Sequence, residues 1–485
     1  MRLAELFPEA DIRAELAGRI IKGISADSRA VSEDMVFFAV PGTRQDGLSF
    51  APQAAERGAI AIVAENNPGS PIVGGAAFIK TENVRGALAH AAALIYPRQP
   101  ETIAAVTGTS GKTSVADFVR QIWMALGKEA ASIGTLGVVG ASGPVSGSLT
   151  TPDPVTLHKT LDELVGRGVT HLALEASSHG ILQRRLDGVR LTAAAFTNLS
   201  RDHLDYHPTL EAYFAAKLEL FTRLLAPGEP AVIDADSEVA ERVIAACQKR
   251  GHRILSTGFR GQGICLAAAR PEGYATRLKL VYENKTYTPL LPLAGSFQAS
   301  NAVVAAGLCL VTGSEPDAVF AALGRLNGAP GRLELVGRHQ GAPIVVDYAH
   351  KPDALDKALR ALRPFVHGKL IVVFGCGGDR DPGKRPLMGA VAARIADRVI
   401  VTDDNPRSED PSAIRRAILQ GAAGSSNVEE VSGRGLAIAQ AISALAPDDG
   451  LLIAGKGHET GQIIGDKTLP FSDAGCVRAV LKDFL

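Results

Sequence analysis

The segment Val106-Thr-Gly-Thr-Ser-Gly-Lys-Thr113 constrains this chain more than any other stretch of its length. It follows an apolar run, TIAAVTG (102–108), and opens a helix from Thr113 in which Phe118, Val119, Ile122 and Leu126 recur at helical spacing and Gly127 is placed as the C-cap. A strand, a tight turn and a helix satisfy both neighbours, and such units build parallel sheets. Glycines at 108 and 111 let backbone N–H groups approach phosphate oxygens, and the helix start adds positive potential. Lys112 then reaches the outer phosphates and Thr113 can ligate Mg²⁺. The spacing departs from the general phosphate loop, which has a glycine where this chain has Val106. The alternative is a plain turn with an exposed lysine, and the coincidence of motif, strand and helix weighs against it.

Similar strands recur on either side. HLALEA (171–176), TAAAFTN (192–198) and PAVIDAD (230–236) read as buried strands, followed by a helix SFQASNAVVAAGLCLV (296–311). Before residue 98, the runs MVFFAV (35–40) and AIAIVAE (59–65) are separated by turn-rich segments such as PGTRQDG (41–47). Beyond Gly331, KLIVVFG (369–375), DRVIVTD (397–403) and GLLIAGKG (450–457) indicate a separate open parallel sheet. A chain of 485 residues, 46% hydrophobic, needs several cores, and an α/β protein of three domains is expected. They are a small N-terminal α/β domain (1–97), a central P-loop-type ATPase domain with a mostly parallel sheet (98–331) and a C-terminal Rossmann-like open sheet (332–485).

Lys plus Arg (51) equals Asp plus Glu (51), so no net field recruits nucleic acid or an anionic membrane, and any anion must be bound locally. The N-terminal MRLAELFPEADIRAELAG carries acids throughout, and no run of about 18 apolar residues follows. A cytoplasmic protein without membrane insertion is expected. The five cysteines, at 247, 265, 309, 376 and 476, have no C-x-x-C or zinc spacing and read as reduced and inert.

Glu175 ends the strand HLALEA, at the sheet edge expected to carry the phosphate loop, where Mg²⁺ would be its partner. Asn198-Leu-Ser-Arg-Asp-His-Leu-Asp-Tyr-His207 crowds titratable groups onto another strand end, and taken alone it reads as a capped loop with satisfied histidines rather than a metal site. In the helix after Pro208, the stripe Leu210, Tyr213, Phe214, Leu218 and Phe221 carries Lys217 on its apolar side. Two readings stay open. Lys217 snorkels outward, or its desolvated neutral amine takes CO₂ to become a carbamate able to ligate Mg²⁺.

Together these segments resemble the Mur ligase family, ATP-dependent amide ligases of cell-wall synthesis with a related folylpolyglutamate synthase branch, over nearly the whole chain. TGTSGKTS (107–114) is similar to that family's nucleotide signature, which implies ATP contacts from Gly108, Thr109, Ser110, Gly111, Lys112, Thr113 and Ser114. The resemblance further implies Mg²⁺ on Thr113, Glu175, His203 and a carbamylated Lys217, with Lys112, Glu175, His203 and Lys217 as the catalytic set. It places Asn301 at the adenine and Arg332 and Asp347 near the phosphate and ribose, with Gln298 standing where relatives usually carry Asn.

SLTTPDP (148–154) and EASSHGILQRR (175–185) resemble muropeptide-binding loops, implying Thr150, Thr151, Ser177, Gln183 and Arg185 as substrate contacts; DSRAV (27–31) implies Ser28 on the uridine side. GCGGDRDPGKRPLMG (375–389) and GKGHE (455–459) imply Arg380, Gly455 and Glu459 on the amino-acid side, and Asp404-Asn405-Pro406-Arg407 is the tetrapeptide of diaminopimelate-adding members. A planar guanidinium at Arg407 can grip the distal carboxylate that distinguishes diaminopimelate from lysine, while Asp404 and Glu459 hold an ammonium group. A simple Asx-Pro turn accounts for Asp404, Asn405 and Pro406 but is indifferent to Arg407. The implied reaction joins meso-2,6-diaminopimelate to UDP-N-acetylmuramoyl-L-alanyl-D-glutamate through an acyl phosphate. ATP and Mg²⁺ are consumed or used, the enzyme is a monomer, and the C-terminal domain closes over ATP. L-lysine as acceptor is opposed by Arg407, a folylpolyglutamate activity by the muropeptide loops, and a non-catalytic nucleotide switch by the Lys217 face.

Overall fold

Alternation of short apolar runs with amphipathic helices produces three large sheets and one two-stranded pair in the computed structural model, which describes residues 1–42, 45–68, 75–140, 143–145, 149–203 and 206–484. Thr43 and Arg44 of the 41–47 turn, Ser148 of the 148–154 motif, and Leu204 and Asp205 of the 198–207 segment lie outside those residues. The chain divides into two compact units, Met1–Ser256 with Gly307–Ser314, and Thr257–Ala306 with Glu315–Leu485.

The first unit holds two sheets. Gly23–Ser25, Met35–Phe38, Ala61–Ala64 and Ala77–Lys80 pair in that order, all parallel, with apolar clusters on both faces. In the second sheet Ala130–Gly134, His171–Glu175, Thr102–Thr107, Ala193–Phe196 and Pro230–Asp234 are successive parallel neighbours. Burial on both faces explains why their sequences are almost unbroken apolar runs. Parallel pairing also sends every strand's carboxyl end to one edge, where the connecting loops gather. The helix Lys112–Ala125 starts at Gly111 (φ 88°), buries Phe118, Val119, Ile122 and Trp123, and is followed by Gly127 at φ 76°.

The helix Leu210–Glu219 runs into a π-helical turn, Leu220–Leu224, which brings both Leu220 and Phe221 into the core. Leu210, expected on its buried stripe, is instead 44% exposed, because as the first helical residue it overhangs the core that Phe214 joins.

The second unit contains an antiparallel meander, Ile264–Glu272 with Ala275–Tyr282 and Lys285–Tyr287, that the apolar runs did not announce. Its main sheet runs Ala342–Asp347, Gly450–Ala454, Leu370–Phe374, Arg398–Val401, Val428–Glu430 in parallel, with Glu334–His339 added antiparallel at the edge. The three strands read from sequence are thus the centre of a six-stranded sheet.

Candidate active site

In the first unit the loop after Thr102–Thr107 is clamped before any ligand is considered. Asn198 receives two of its N–H groups, Thr109 N on the backbone oxygen at 2.8 Å and Ser110 N on Oδ1 at 3.0 Å. Thr197 Oγ1 donates to the Ser110 carbonyl at 2.6 Å. Gly108 has φ 148°, and a Cβ there would stand 1.9 Å from Thr197 Oγ1, so only glycine fits. Lys112 Nζ caps the carbonyls of Gly108 and Thr109 at 2.9 and 3.0 Å. Ser114 is buried in the first turn of the helix that follows.

Glu175, at the neighbouring strand end, is buried. Its Oε2 accepts from Thr113 Oγ1 at 3.1 Å and its Oε1 from Thr135 N at 2.8 Å. Ligands in adjacent octahedral positions around Mg²⁺ lie about 3 Å apart, so the Thr113 and Glu175 oxygens have the spacing and hardness such an ion requires. Among the described residues no three His, Cys, Asp or Glu side chains form a ready metal cage.

Lys217 is 1% exposed, with Nζ donating to the Gly108 carbonyl at 2.7 Å and standing 4.2 Å over the Tyr213 ring. It does not snorkel. Burial holds its amine well below the ordinary lysine range, the positive charge of Lys112 acts in the same direction, and Asp202 opposes them. Burial likewise pushes the Tyr213 phenol up to about 12. His203, at φ 53°, has its ring 6.0 Å from that of Tyr213 and 5.1 Å from that of His179. Lys217 and His203 therefore flank Tyr213, beside the phosphate loop.

The segments 149–154 and 175–185 meet at Glu175. Thr151 Oγ1 donates to the Glu175 carbonyl at 2.8 Å and lies 3.0 Å from Ser177 Oγ, while Thr150 Oγ1 lies 3.0 Å from Thr135 Oγ1. Arg185 donates to the Thr151 carbonyl at 2.7 Å and to Gln183 Oε1 at 2.7 Å, and Gln183 Nε2 donates to the Tyr206 hydroxyl at 3.2 Å. Ser28 lies after the strand Gly23–Ser25, at the carboxyl edge of the first sheet, and donates to Gln53 Oε1 at 2.6 Å.

The second unit repeats the plan at the carboxyl edge of its own parallel sheet. Gly377 sits between two arginines: a Cβ there would meet Arg407 Nη1 at 2.7 Å and Arg380 Cγ at 3.7 Å. Arg407 is half-buried at φ 51° and donates to the Gly378 carbonyl at 2.7 Å. A Cβ on Gly378 would strike the Pro406 carbonyl at 1.9 Å, and one on Gly455 would come within 2.7 Å of Asp404 Oδ2. Asn405 Nδ2 donates to Glu459 Oε2 at 2.9 Å. Asn301, Gln298 and Arg332 form a chain: Asn301 Nδ2 lies 3.5 Å from Gln298 Oε1, and Gln298 Nε2 donates to the Arg332 carbonyl at 2.8 Å. Asp347 accepts from Leu333 N and Ala349 N, each at 2.8 Å; burial pushes its carboxyl up, opposed first by Arg332.

Some residues that build these sites had no role of their own assigned from the sequence. Thr135 and Asn198 hold Glu175 and the phosphate loop through backbone and side chain together. Lys456 is fully buried and bonds to both Asn405 and Glu459, so Glu459 does not stand ready for an ammonium group with both oxygens. Arg434 is enclosed against Asp473 at 2.6 Å and also donates to the Ala454 and Asp403 carbonyls, directly behind Gly455 and Asp404. The one sequence signal for Lys456 was its place between glycines at the end of an all-apolar strand.

Three family models match in succession: "Mur ligase family, catalytic domain" over residues 20–107, "Mur ligase middle domain" over 106–309 and "Mur ligase, glutamate ligase domain" over 331–457. The chain is 54% identical to the UDP-N-acetylmuramoyl-L-alanyl-D-glutamate--2,6-diaminopimelate ligase of Bradyrhizobium diazoefficiens, with 99% of each chain covered. It is 52% identical to the ligase of the same name from Rhizobium meliloti, over 98% of this chain and 97% of that one. A solved structure of a UDP-N-acetylmuramoyl-L-alanyl-D-glutamate--2,6-diaminopimelate ligase superposes with a TM-score of 0.74 at 33% identity, covering 100% of this chain and 99% of that chain.

Proposed function

This chain belongs to the Mur ligase family, and from that premise we propose that it joins meso-2,6-diaminopimelate to UDP-N-acetylmuramoyl-L-alanyl-D-glutamate at the expense of ATP. The observation that carries the choice of acceptor is the pair of arginines about Gly377, with Arg407 fixed by the Gly378 carbonyl and Glu459 held by Asn405 in the same cluster of loops. Two guanidiniums and a carboxylate suit an amino acid with two carboxylates and a spare ammonium group.

The phosphate loop, Gly108 to Ser114, binds the ATP phosphates, with Lys112 turning from its own loop carbonyls to the outer oxygens. Asn301 serves the adenine, and Arg332 and Asp347 the phosphate and ribose. Ser28 takes the uridine side of the muropeptide, and Thr150, Thr151, Ser177, Gln183 and Arg185 its peptide side. One Mg²⁺ would be held by Thr113 and Glu175 and a second by His203 and the carbamate of Lys217, and the two would offset charge on the transferring phosphoryl group. Burial and the nearby Lys112 favour the uncharged Lys217 amine, the form that adds CO₂ and loses one proton as the N–C bond forms.

The D-glutamyl carboxylate takes the γ-phosphoryl group, and the O–P bond to ADP breaks. The diaminopimelate amine then attacks the acyl carbon, loses a proton, and phosphate leaves as the amide forms. The protein's part is positioning, charge neutralisation and exclusion of water from the acyl phosphate. The domains at 1–97, 98–331 and 332–485 serve the uridine side, ATP and the amino acid respectively, in a monomer working in the cytoplasm.

The test is release of ADP by purified protein given ATP, Mg²⁺ and the UDP-muropeptide with either meso-diaminopimelate or L-lysine. Turnover with diaminopimelate alone is expected. Preference for lysine would overturn the role given to Arg407, and silence with both would overturn the acceptor class.

A further inference from the structure

Lys456 follows the strand Gly450–Ala454 and has no solvent-exposed surface on its side chain. An enclosed ammonium is costly unless its N–H groups find acceptors and its charge a counter-charge. Nζ donates to three segments at once: Asn405 Oδ1 at 3.0 Å, Glu459 Oε2 at 3.0 Å and the Gly461 carbonyl at 2.7 Å. No step of the proposed reaction uses this residue.

Its acceptors fix the orientation of Asn405. Oδ1 of that amide receives both Lys456 Nζ and, at 3.0 Å, the backbone N–H of Ile463, and each of these can only donate. Nδ2 is therefore turned to Glu459 Oε2, 2.9 Å away. Oε2 of Glu459 takes two donors, and Oε1 is the oxygen left for a ligand. We infer that Lys456 is a positioning residue for an ammonium group of the acceptor amino acid, acting through Asn405 and Glu459; the inference rests on the acceptor site proposed above. Without it, the Glu459 carboxylate loses its counter-charge and Asn405 Oδ1 keeps only the Ile463 N–H to hold it in place.

Lys456→Met keeps length and apolar volume while removing the charge. The expected result is a rise in KM for meso-diaminopimelate on the order of 10–100-fold, with kcat at saturating amino acid largely kept and KM unchanged for ATP and the UDP-muropeptide. In the Glu459→Gln background the same substitution adds little further, because a neutral partner needs no counter-ion. Equal damage to all three KM values and to kcat, or effects of the two substitutions that multiply independently, would overturn the inference. If Lys456→Met does not fold, Asn405→Asp breaks the same chain at its next link, and an unchanged diaminopimelate KM there overturns it equally. A wild-type enzyme that ignores meso-diaminopimelate would instead remove the acceptor reading itself; wild-type use with an unaffected Lys456→Met enzyme removes only the inference.

Discussion

Two lysines are sealed inside this protein, each at the carboxyl edge of a parallel sheet, and they are treated in opposite ways. Lys217, in the first unit, has among the described residues a single hydrogen-bond acceptor, the Gly108 carbonyl, and lies near a second positive charge, Lys112. Lys456, in the second, has three acceptors, one of them a carboxylate. Burial alone does not decide what a lysine is for. Burial and Lys112 outweigh Asp202 and favour loss of the first lysine's proton, as the proposed carbamate requires; the second, matched by Glu459, is the proposed strut.

The sharpest way to break this contrast is Lys217→Ala. Loss of turnover on the order of 10³-fold is expected, with part regained on adding formate or acetate, whose carboxylate occupies the place of the missing carbamate; full activity in the bare variant would end the distinction. Next comes Arg407→Ala, expected to lower kcat/KM for meso-diaminopimelate by about 10²–10³-fold while leaving any slow use of L-lysine where it was. Equal loss with both acceptors would make Arg407 a scaffold residue. Smaller again, Gly108→Ala places a Cβ 1.9 Å from Thr197 Oγ1 and should cost about 1–3 kcal/mol in urea unfolding, together with nucleotide binding; an unchanged midpoint would show that the loop is less rigidly clamped than its bonds imply.

The mildest effect belongs to His158, whose buried ring lies 3.0 Å from the Asp187 carbonyl and whose pKa is lowered first by burial. The unfolded chain takes up a proton near pH 6.5 that the folded chain refuses until lower pH, so this contribution is present above about 6.5 and fades as pH falls. Unfolding midpoints at pH 7.5 and 5.5 should differ less in His158→Gln than in the wild type.

What could be read from the sequence was local. Val106 to Thr113 declares itself because strand, turn and helix are contiguous, and the runs at 171–176, 369–375 and 450–457 because a strand buried on both faces is apolar throughout. Residues whose importance is a distance between remote segments were not legible: Asn198 against Ser110, Thr135 against Glu175, Lys456 against Asn405. The stripe extrapolated back to Leu210 overran the core, because helical periodicity says which side faces inward but not where the core ends. The meander from Ile264 to Tyr287 carries exposed and charged positions on its strands, and so lacked the continuous apolar signal of its parallel neighbours.

The enclosed pair Arg434 and Asp473 makes the last helix, Asp473–Lys482, a structural necessity for a site whose proposed residues all precede it. A chain cut by a protease or a nonsense codon at residue 472 would still encode every proposed contact through Glu459, yet would take from Arg434, behind Gly455, the carboxylate it is paired with. An uncompensated buried charge costs about 3–5 kcal/mol, a large part of the roughly 5–15 kcal/mol that holds an ordinary domain folded. Such a fragment would be a substrate for cellular quality control, not a slow enzyme.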